Sequence, residues 1–281
     1  MKKNLLQFDI TFLGYLGILT FFHKFYPPLD HFGWFFFLFF IPFAKALRDA
    51  LRKKAPKAFV AKVGMKMVIC FLNPFIFVQG IWQAVGEIIS LFRLFVLKEN
   101  VFSKIQNLSF QFPFSGDWKA VSGGTTKDTS HSWEILNQRY AYDFVLFDEN
   151  EKYFSGAGKQ LKEFYAFGQA VLAPADGTVI RTKNSARDYS KPHDIDFFST
   201  NMGGNYIMIE HASGVVSLIA HLQRNSVVVK KGDHVRKGQV IGRCGNSGHS
   251  TAPHIHFHIQ DSRLPFFGLG LPIPFEGGGF K

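Results

Sequence analysis

Gly204-Asn205-Tyr206-Ile207-Met208-Ile209-Glu210-His211, followed after a two-residue break by Gly214-Val215-Val216-Ser217-Leu218-Ile219-Ala220-His221, is strand text. Short runs rich in Ile, Val and Tyr, bounded by Gly and Asn, read as neighbouring β-strands. Ala170 to Ile180 upstream and Ser226 to Arg243 downstream have the same character. Asp176-Gly177 and Lys231-Gly232-Asp233 read as hairpin-type turns, and Gly242, Gly245 and Gly248 permit tight turns before the next strand. No long helical period competes, so residues 114–281 are expected to form an all-β, antiparallel-sheet domain. Arg181 to Gly203 breaks the rhythm with Asn184, Asp188, Lys191-Pro192 and Asp196-Phe197-Phe198. It reads as a long loop projecting from the sheet, either the wall of a substrate groove or a mobile insertion.

The last strand text is Pro253-His254-Ile255-His256-Phe257-His258. Alternate residues of a strand share a face, so His254 and His256 project together. With His221 from Leu218-Ile219-Ala220-His221-Leu222 they make three histidines for one pocket, which suits a zinc hydrolase. His258 lies on the same nominal face, but zinc sites that do chemistry keep a position open, so it reads as a rim histidine rather than a fourth ligand. There is no H-E-x-x-H text, so the glutamate base of thermolysin-like enzymes is missing and histidines have to replace it. His211 also falls in strand text, and Ser247 and Ser250 read as turn caps or substrate contacts.

The first hundred residues are of another kind, crowded with Phe, Leu, Ile and Trp. Met67 to Gly86 is free of charge and about as long as a bilayer-spanning helix, which makes it the strongest membrane candidate. Ile10 to His23 and His31 to Ala44 are apolar but short, fit for a hairpin around Pro27-Pro28, and the number of spans stays open. A cleaved signal peptide lacks a small-residue cleavage site here. The net charge of +11 does not call for nucleic acid as a partner: Lys45 to Lys66 holds eight Lys or Arg against the single acid Asp49. A basic block beside a membrane span reads as a cytoplasmic loop facing anionic lipid. The last span then carries the C-terminal half to the outer face of the membrane. The expected organisation is a helical membrane region over 1–100 with its basic loop at 45–66, a linker over 101–113, and the β-domain over 114–281. The two cysteines, Cys70 and Cys244, lie in different settings and are not expected to pair.

In order and spacing, the C-terminal text resembles one family, the lysostaphin/LytM-type zinc metallopeptidases, which cut peptide cross-links of bacterial peptidoglycan. The matching text is Ala173-Pro174-Ala175-Asp176-Gly177-Thr178-Val179, Gly204 to His211, Ala220-His221-Leu222, Lys231-Gly232-Asp233-His234-Val235, Gly238-Gln239-Val240-Ile241-Gly242, Gly245-Asn246-Ser247-Gly248 and His254-Ile255-His256-Phe257. The resemblance implies one zinc ion (Zn2+) held by two histidines and one aspartate. His256 and Asp143, in Tyr140-Ala141-Tyr142-Asp143-Phe144, match ligand positions. His221 and His254 match the paired catalytic histidines that are not ligands and that act on the water and the developing oxyanion.

One position departs from the pattern. Where the common form has its first zinc histidine, four residues before the aspartate, this chain has Arg139. Arginine stays protonated and offers no lone pair. His131 is the candidate for the missing ligand, since a subset of the family is similar to this segment, with an early histidine before a Gln-Arg-Tyr-Ala-x-Asp text; Gln138 is the weaker alternative. Asn205 and Tyr206 are candidates for lining the substrate groove.

The expected function is a membrane-anchored zinc endopeptidase acting on peptidoglycan peptides from the outer side of a bacterial cytoplasmic membrane, with the lipid bilayer and a regulatory membrane protein as further partners. The alternative is a catalytically inactive LytM-like binding domain that activates a cell-wall hydrolase, a reading that Arg139 keeps open and that the retention of Asp143, His221, His254 and His256 opposes. A lipoyl-type carrier domain, suggested by the text around Lys231-Gly232-Asp233, lacks the modified lysine at a hairpin tip.

Overall fold

The computed structural model describes residues 72–98 and 100–277, together with residues 44, 48, 64, 65 and 69. The chain divides into two compact units, Met1–Glu99 and Asn100–Lys281.

In the first unit, helix α1 spans Pro74–Phe95. Its start is dictated locally: the Asn73 side chain accepts from the N–H groups of Phe75 at 3.0 Å and Ile76 at 3.3 Å, and Pro74 occupies the first turn, where a missing N–H costs nothing. The charge-free stretch from Met67 to Gly86 is therefore not one uninterrupted helix. Asn73, with extended backbone, breaks it, and α1 runs on past Glu87 and Arg93. Phe75, Val78, Trp82, Ile89 and Phe92 are exposed at helical spacing, while Ile76, Ala84, Glu87, Ser90 and Leu94 are buried. Glu87 accepts a hydrogen bond from Gln83 Nε2 at 2.6 Å. Among the described residues α1 is the one helix long and apolar enough to cross a bilayer. The stretch Ile10 to His23, the stretch His31 to Ala44 apart from its last residue, and most of the basic block lie outside the described residues.

The second unit is built from β1 Trp118–Ser122, β2 Tyr142–Leu146, β3 Ala170–Leu172, β4 Gly177–Lys183, β5 Asn205–Glu210, β6 Val216–Leu222, β7 His234–Val235, β8 Val240–Arg243, β9 Ile255–Gln260 and β10 Gly270–Leu271. Eight of them form one antiparallel sheet in the order β1-β2-β9-β6-β5-β4-β7, with β10 on β9, and β3 pairs with β8 in a separate ribbon. The expected all-β, antiparallel fold is the observed one.

Cross-strand register sorts the side chains into two rows. Ile207 pairs with Ile219, Ile219 with Phe257 and Phe257 with Tyr142, which makes an apolar row on one face. Phe144 pairs with Ile255 on that same face and is wholly buried among Phe112, Phe114 and Phe275. Each such aromatic or branched side chain contributes on the order of 2 kcal/mol on burial. The opposite face carries Asp143 paired with His256 and His256 with Ala220, continuing into Leu218 paired with His258.

Three expectations need correction. Residues 101–113 are not a linker: Val101, Ile105 and Phe110 are buried, and Phe110 N–H donates to Pro274 O at 3.0 Å, so apolar residues of this stretch serve the core. Asp176-Gly177 does not close a hairpin, because β3 pairs with β8 and β4 with β5 and β7. Nor does Lys231-Gly232-Asp233 join paired neighbours; it is a turn that brings β7 onto β4, and of Ser226 to Arg243 only β7 and β8 are strands.

Candidate active site

The site grows from the β2–β9 pairing. Asp143 and His256 are register partners, and His256 Nδ1 stands 2.9 Å from Asp143 Oδ1. His254 Nε2 reaches the same oxygen at 3.8 Å. The other carboxylate oxygen, Oδ2, is 3.3 Å from His131 Nδ1. His131 comes back to Asp143 because β1 ends there: Ser122 is the register partner of Asp143, and its hydroxyl accepts from His131 N–H at 3.1 Å and lies 2.7 Å from the ring Nδ1. The turn between them needs Gly123, whose φ of +143° is left-handed and whose Cβ would run into the Tyr142 ring. Ser132 Oγ holds His131 Nε2 at 2.9 Å.

His221 enters against strand parity. Ala220 is the residue of β6 that faces His256, so alternation points its neighbour to the other side of the sheet. His221 instead has a left-handed φ of +62°, and its ring centroid lies 4.7 Å from that of His254 and 5.9 Å from that of His256. Three tethers hold it: its N–H donates to Gly203 O at 3.0 Å, its carbonyl accepts from Gly245 N–H at 3.0 Å, and Nδ1–H donates to Ser247 O at 2.9 Å. Gly204, with φ of +62°, lies so close to Ser247 that a Cβ would strike its backbone.

His254 is oriented in the same manner, with Nδ1–H donating to Ala252 O at 2.8 Å and Ser250 Oγ at 3.1 Å from the same nitrogen. A carbonyl only accepts, so in the neutral rings of both His221 and His254 the lone pair sits on Nε2. Ser247 and Ser250 are thus buried posts for the two imidazoles.

Burial works to raise the pKa of Asp143, but the charges of His254, His256 and His131 overcome it and hold the carboxyl well below the usual carboxylate range. Burial, with His254 and His256 adding to it, pushes His221 well below an ordinary imidazole, so it is neutral. Carboxylate oxygen and neutral imidazole nitrogen are the donor types zinc takes. The convergence of Nδ1 of His256 and Nδ1 of His131 on one ionised carboxylate fits such an ion. Among the described residues no group of three or more His, Cys, Asp or Glu stands as a ready-made metal centre; here the donors close on one another through hydrogen bonds.

Arg139 is buried and serves the scaffold: Nε donates to Trp133 O at 2.9 Å and the guanidinium lies 4.9 Å from the Trp133 ring. Of the two candidates to replace the histidine missing at that position, His131 has the imidazole that reaches Asp143; Gln138 sits in the short 3-10 turn Leu136–Gln138.

Asn205 does not line a groove. It is wholly buried; its Oδ1 accepts from Ala186 N–H at 2.7 Å, and its Nδ2 donates to Ala186 O at 2.8 Å and Leu222 O at 3.0 Å. Asn205→Ala in the full chain is expected to cost about 2–3 kcal/mol, read as a lowered melting midpoint of the β-domain by near-UV circular dichroism. An unchanged midpoint with a raised KM would restore the groove role. Tyr206 is half-buried against the cluster of Met208, Val216, Leu218 and Ala220. The loop after β4 is pinned through Arg187 and Asp188. Arg187 forks onto Asp196 at 2.9 and 2.6 Å, and Asp188 accepts from Asn246 N–H at 2.8 Å and Arg224 N–H at 2.9 Å. His211 is a packing residue, donating from Nδ1 to Asp176 O and accepting from Ser217. Cys244 is buried, and burial pushes its thiol far up, so it is inert. Ser122 and Gln260, which touch the site's imidazoles, carry no signal in the sequence.

Fold and site together define an antiparallel β-domain with a histidine–carboxylate centre on one sheet face. Residues 160–266 match Peptidase family M23, and the resemblance read from the sequence holds. This stretch includes His221, His254 and His256, while His131 and Asp143 lie upstream of it. The chain is 34% identical over 107 residues to the peptidoglycan DD-endopeptidase ShyA of Vibrio cholerae, covering 38% of this chain and 21% of that one. It is 39% identical over 107 residues to the DD-carboxypeptidase/endopeptidase Mpg of Neisseria meningitidis, again covering 38% of this chain and 21% of that protein. The chain thus spans about a fifth of the length of these relatives. Among solved structures it is similar to the catalytic domain of the antimicrobial peptidase lysostaphin from Staphylococcus simulans, with 21% identity, 61% of this chain and 95% of that one covered, and a TM-score of 0.31.

Proposed function

We propose that this chain is a membrane-anchored zinc endopeptidase that hydrolyses peptide bonds of peptidoglycan. The observation that carries the reading is the meeting of His131, His256 and His254 on the one carboxylate of Asp143, with His221 beside them. The residues that would hold the zinc are Asp143, His256 and His131. When bound, zinc supplies Lewis acidity and a water acidified to a pKa of about 7. The remaining work falls to the two imidazoles whose lone pairs sit on Nε2. One accepts the proton of the attacking water. The other, protonated, donates to the oxyanion and then to the leaving amine. Their Nδ1–H bonds to Ser247 O and Ala252 O keep both rings in the tautomer this requires. The relatives named for peptidoglycan endopeptidase activity support the substrate class, and the apolar face of α1 with the basic block before it supports an anchor whose following domain faces the cell wall.

The test uses the purified full chain. Elemental analysis is expected to find about one zinc per chain, and cross-linked muropeptides are expected to be cleaved in a chelator-sensitive manner. His131→Ala should lose the metal while the β-domain keeps its near-UV circular dichroism. Zinc retained in full by that variant would remove His131 from the ligand set. A chain that binds no zinc after reconstitution would turn the reading to a binding domain that activates a separate hydrolase.

A further inference from the structure

Beyond Asp143 and His256 the polar face of β9 continues as a buried chain with no part in the mechanism above. His256 Nε2 is 3.1 Å from His258 Nδ1, and His258 Nε2 is 3.3 Å from Gln260 Oε1. The Gln260 amide nitrogen donates to two carbonyls, Ser262 O at 2.7 Å and Leu264 O at 2.8 Å. His258 and Gln260 are fully buried, at 2% and 0% exposure.

The direction of every bond in this chain follows from its far end. Both Gln260 N–H groups are committed to carbonyls, so Oε1 is what faces His258, and an amide oxygen only accepts. His258 Nε2 therefore carries the hydrogen. Both His258 nitrogens meet uncharged partners on a buried face, an amide oxygen and an imidazole, and the one ring hydrogen is already on Nε2, so its Nδ1 is an acceptor. His256 must then donate from Nε2. Its Nδ1 is left with a lone pair aimed at Asp143 Oδ1, an acceptor facing an acceptor at 2.9 Å. Such a pair calls for a positive charge between its members, a proton or a metal ion.

We infer that His258 and Gln260 are positioning residues that fix His256 in the Nε2–H tautomer and so dedicate its Nδ1 to the metal ion. The inference rests on the zinc reading for its purpose and on the hydrogen-bond chain for its geometry. It also explains why His256 differs from its neighbours: His221 and His254 have Nδ1–H tied to carbonyls and the lone pair on Nε2, whereas His256 is held the other way round.

Two measurements on the full chain test it separately. In the metal-free protein, 15N-histidine NMR should show His256 with a hydrogen on Nε2, with or without a second proton on Nδ1 against Asp143. A His256 protonated at Nδ1 alone, with a pyridine-type Nε2, would overturn the relay whether or not zinc binds. Zinc affinity is then measured by competition with a chromophoric chelator. His258→Leu should bind zinc about 10–100-fold more weakly, and His258→Asn, whose Oδ1 still accepts from His256, should recover most of that loss. Equal affinity in wild type and His258→Leu, or equal loss in both variants, would leave His258 as packing only. A wild type with no zinc affinity would sink the ligand reading, while the NMR result would still decide the tautomer.

Discussion

His256→Ala is expected to weaken zinc binding by more than the ~100-fold that loss of an outer hydrogen-bond partner costs, and to abolish muropeptide cleavage with it. The reason is positional. His256 is the direct cross-strand partner of Asp143, and the β2–β9 pairing holds its Nδ1 2.9 Å from the carboxylate without help from any loop. Two other histidines lack this support: His131 depends on the turn after Ser122, and His221 on a left-handed backbone. Removing the imidazole also withdraws one of the partners that hold the Asp143 carboxyl down against its burial. Fold is expected to survive, because the apolar row of Ile255, Phe257 and Ile259 on the other face of β9 is untouched. Chelator competition and elemental analysis on the full chain check the result; a variant that keeps wild-type zinc affinity would remove His256 from the ligand set.

The second large effect is expected at His221, and it should be of the opposite kind. His221→Asn should keep zinc and fold while lowering kcat by roughly 10²–10⁴, the range for loss of a positioned proton-transfer group. Asparagine is the informative replacement because it tolerates the left-handed φ of +62° that the backbone adopts at this position. His221→Ala should show the same kinetic loss with about 1 kcal/mol less stability, since alanine gains nothing there to offset the strain. Zinc content, kcat and melting midpoint measured together separate the two roles. A His221→Asn chain that loses zinc would make His221 a ligand; one with wild-type kcat would leave His254 as the proton carrier alone.

Much of this site was legible in the residues. Period-two alternation in His254-Ile255-His256-Phe257-His258 was enough to place three histidines on one face, and the strand text with its glycine punctuation was enough for an antiparallel sheet. The core role of Val101, Ile105 and Phe110 was not legible, because apolar residues scattered among polar ones without strand or helix period look the same whether they face solvent or a neighbouring strand. Asn205 misled for a related reason. An asparagine at the head of a strand reads as exposed, and only the approach of Ala186 and Leu222 shows that its amide is consumed inside.

What the sequence determined by itself is whatever depends on neighbours along the chain: the Asn73–Pro74 helix start in its residue types, the faces of β9, and the exclusion of Arg139 as a ligand. What only the tertiary structure decided depends on strands far apart in sequence. The β2–β9 register brings Asp143 to His256 across 113 positions, the β1 end returns His131 to the same carboxylate, and the tethers from Gly203, Gly245 and Ser247 turn His221 against the alternation of its own strand. Local patterning cannot encode these, because register and backbone strain are set by contacts that exist only once the sheet has formed.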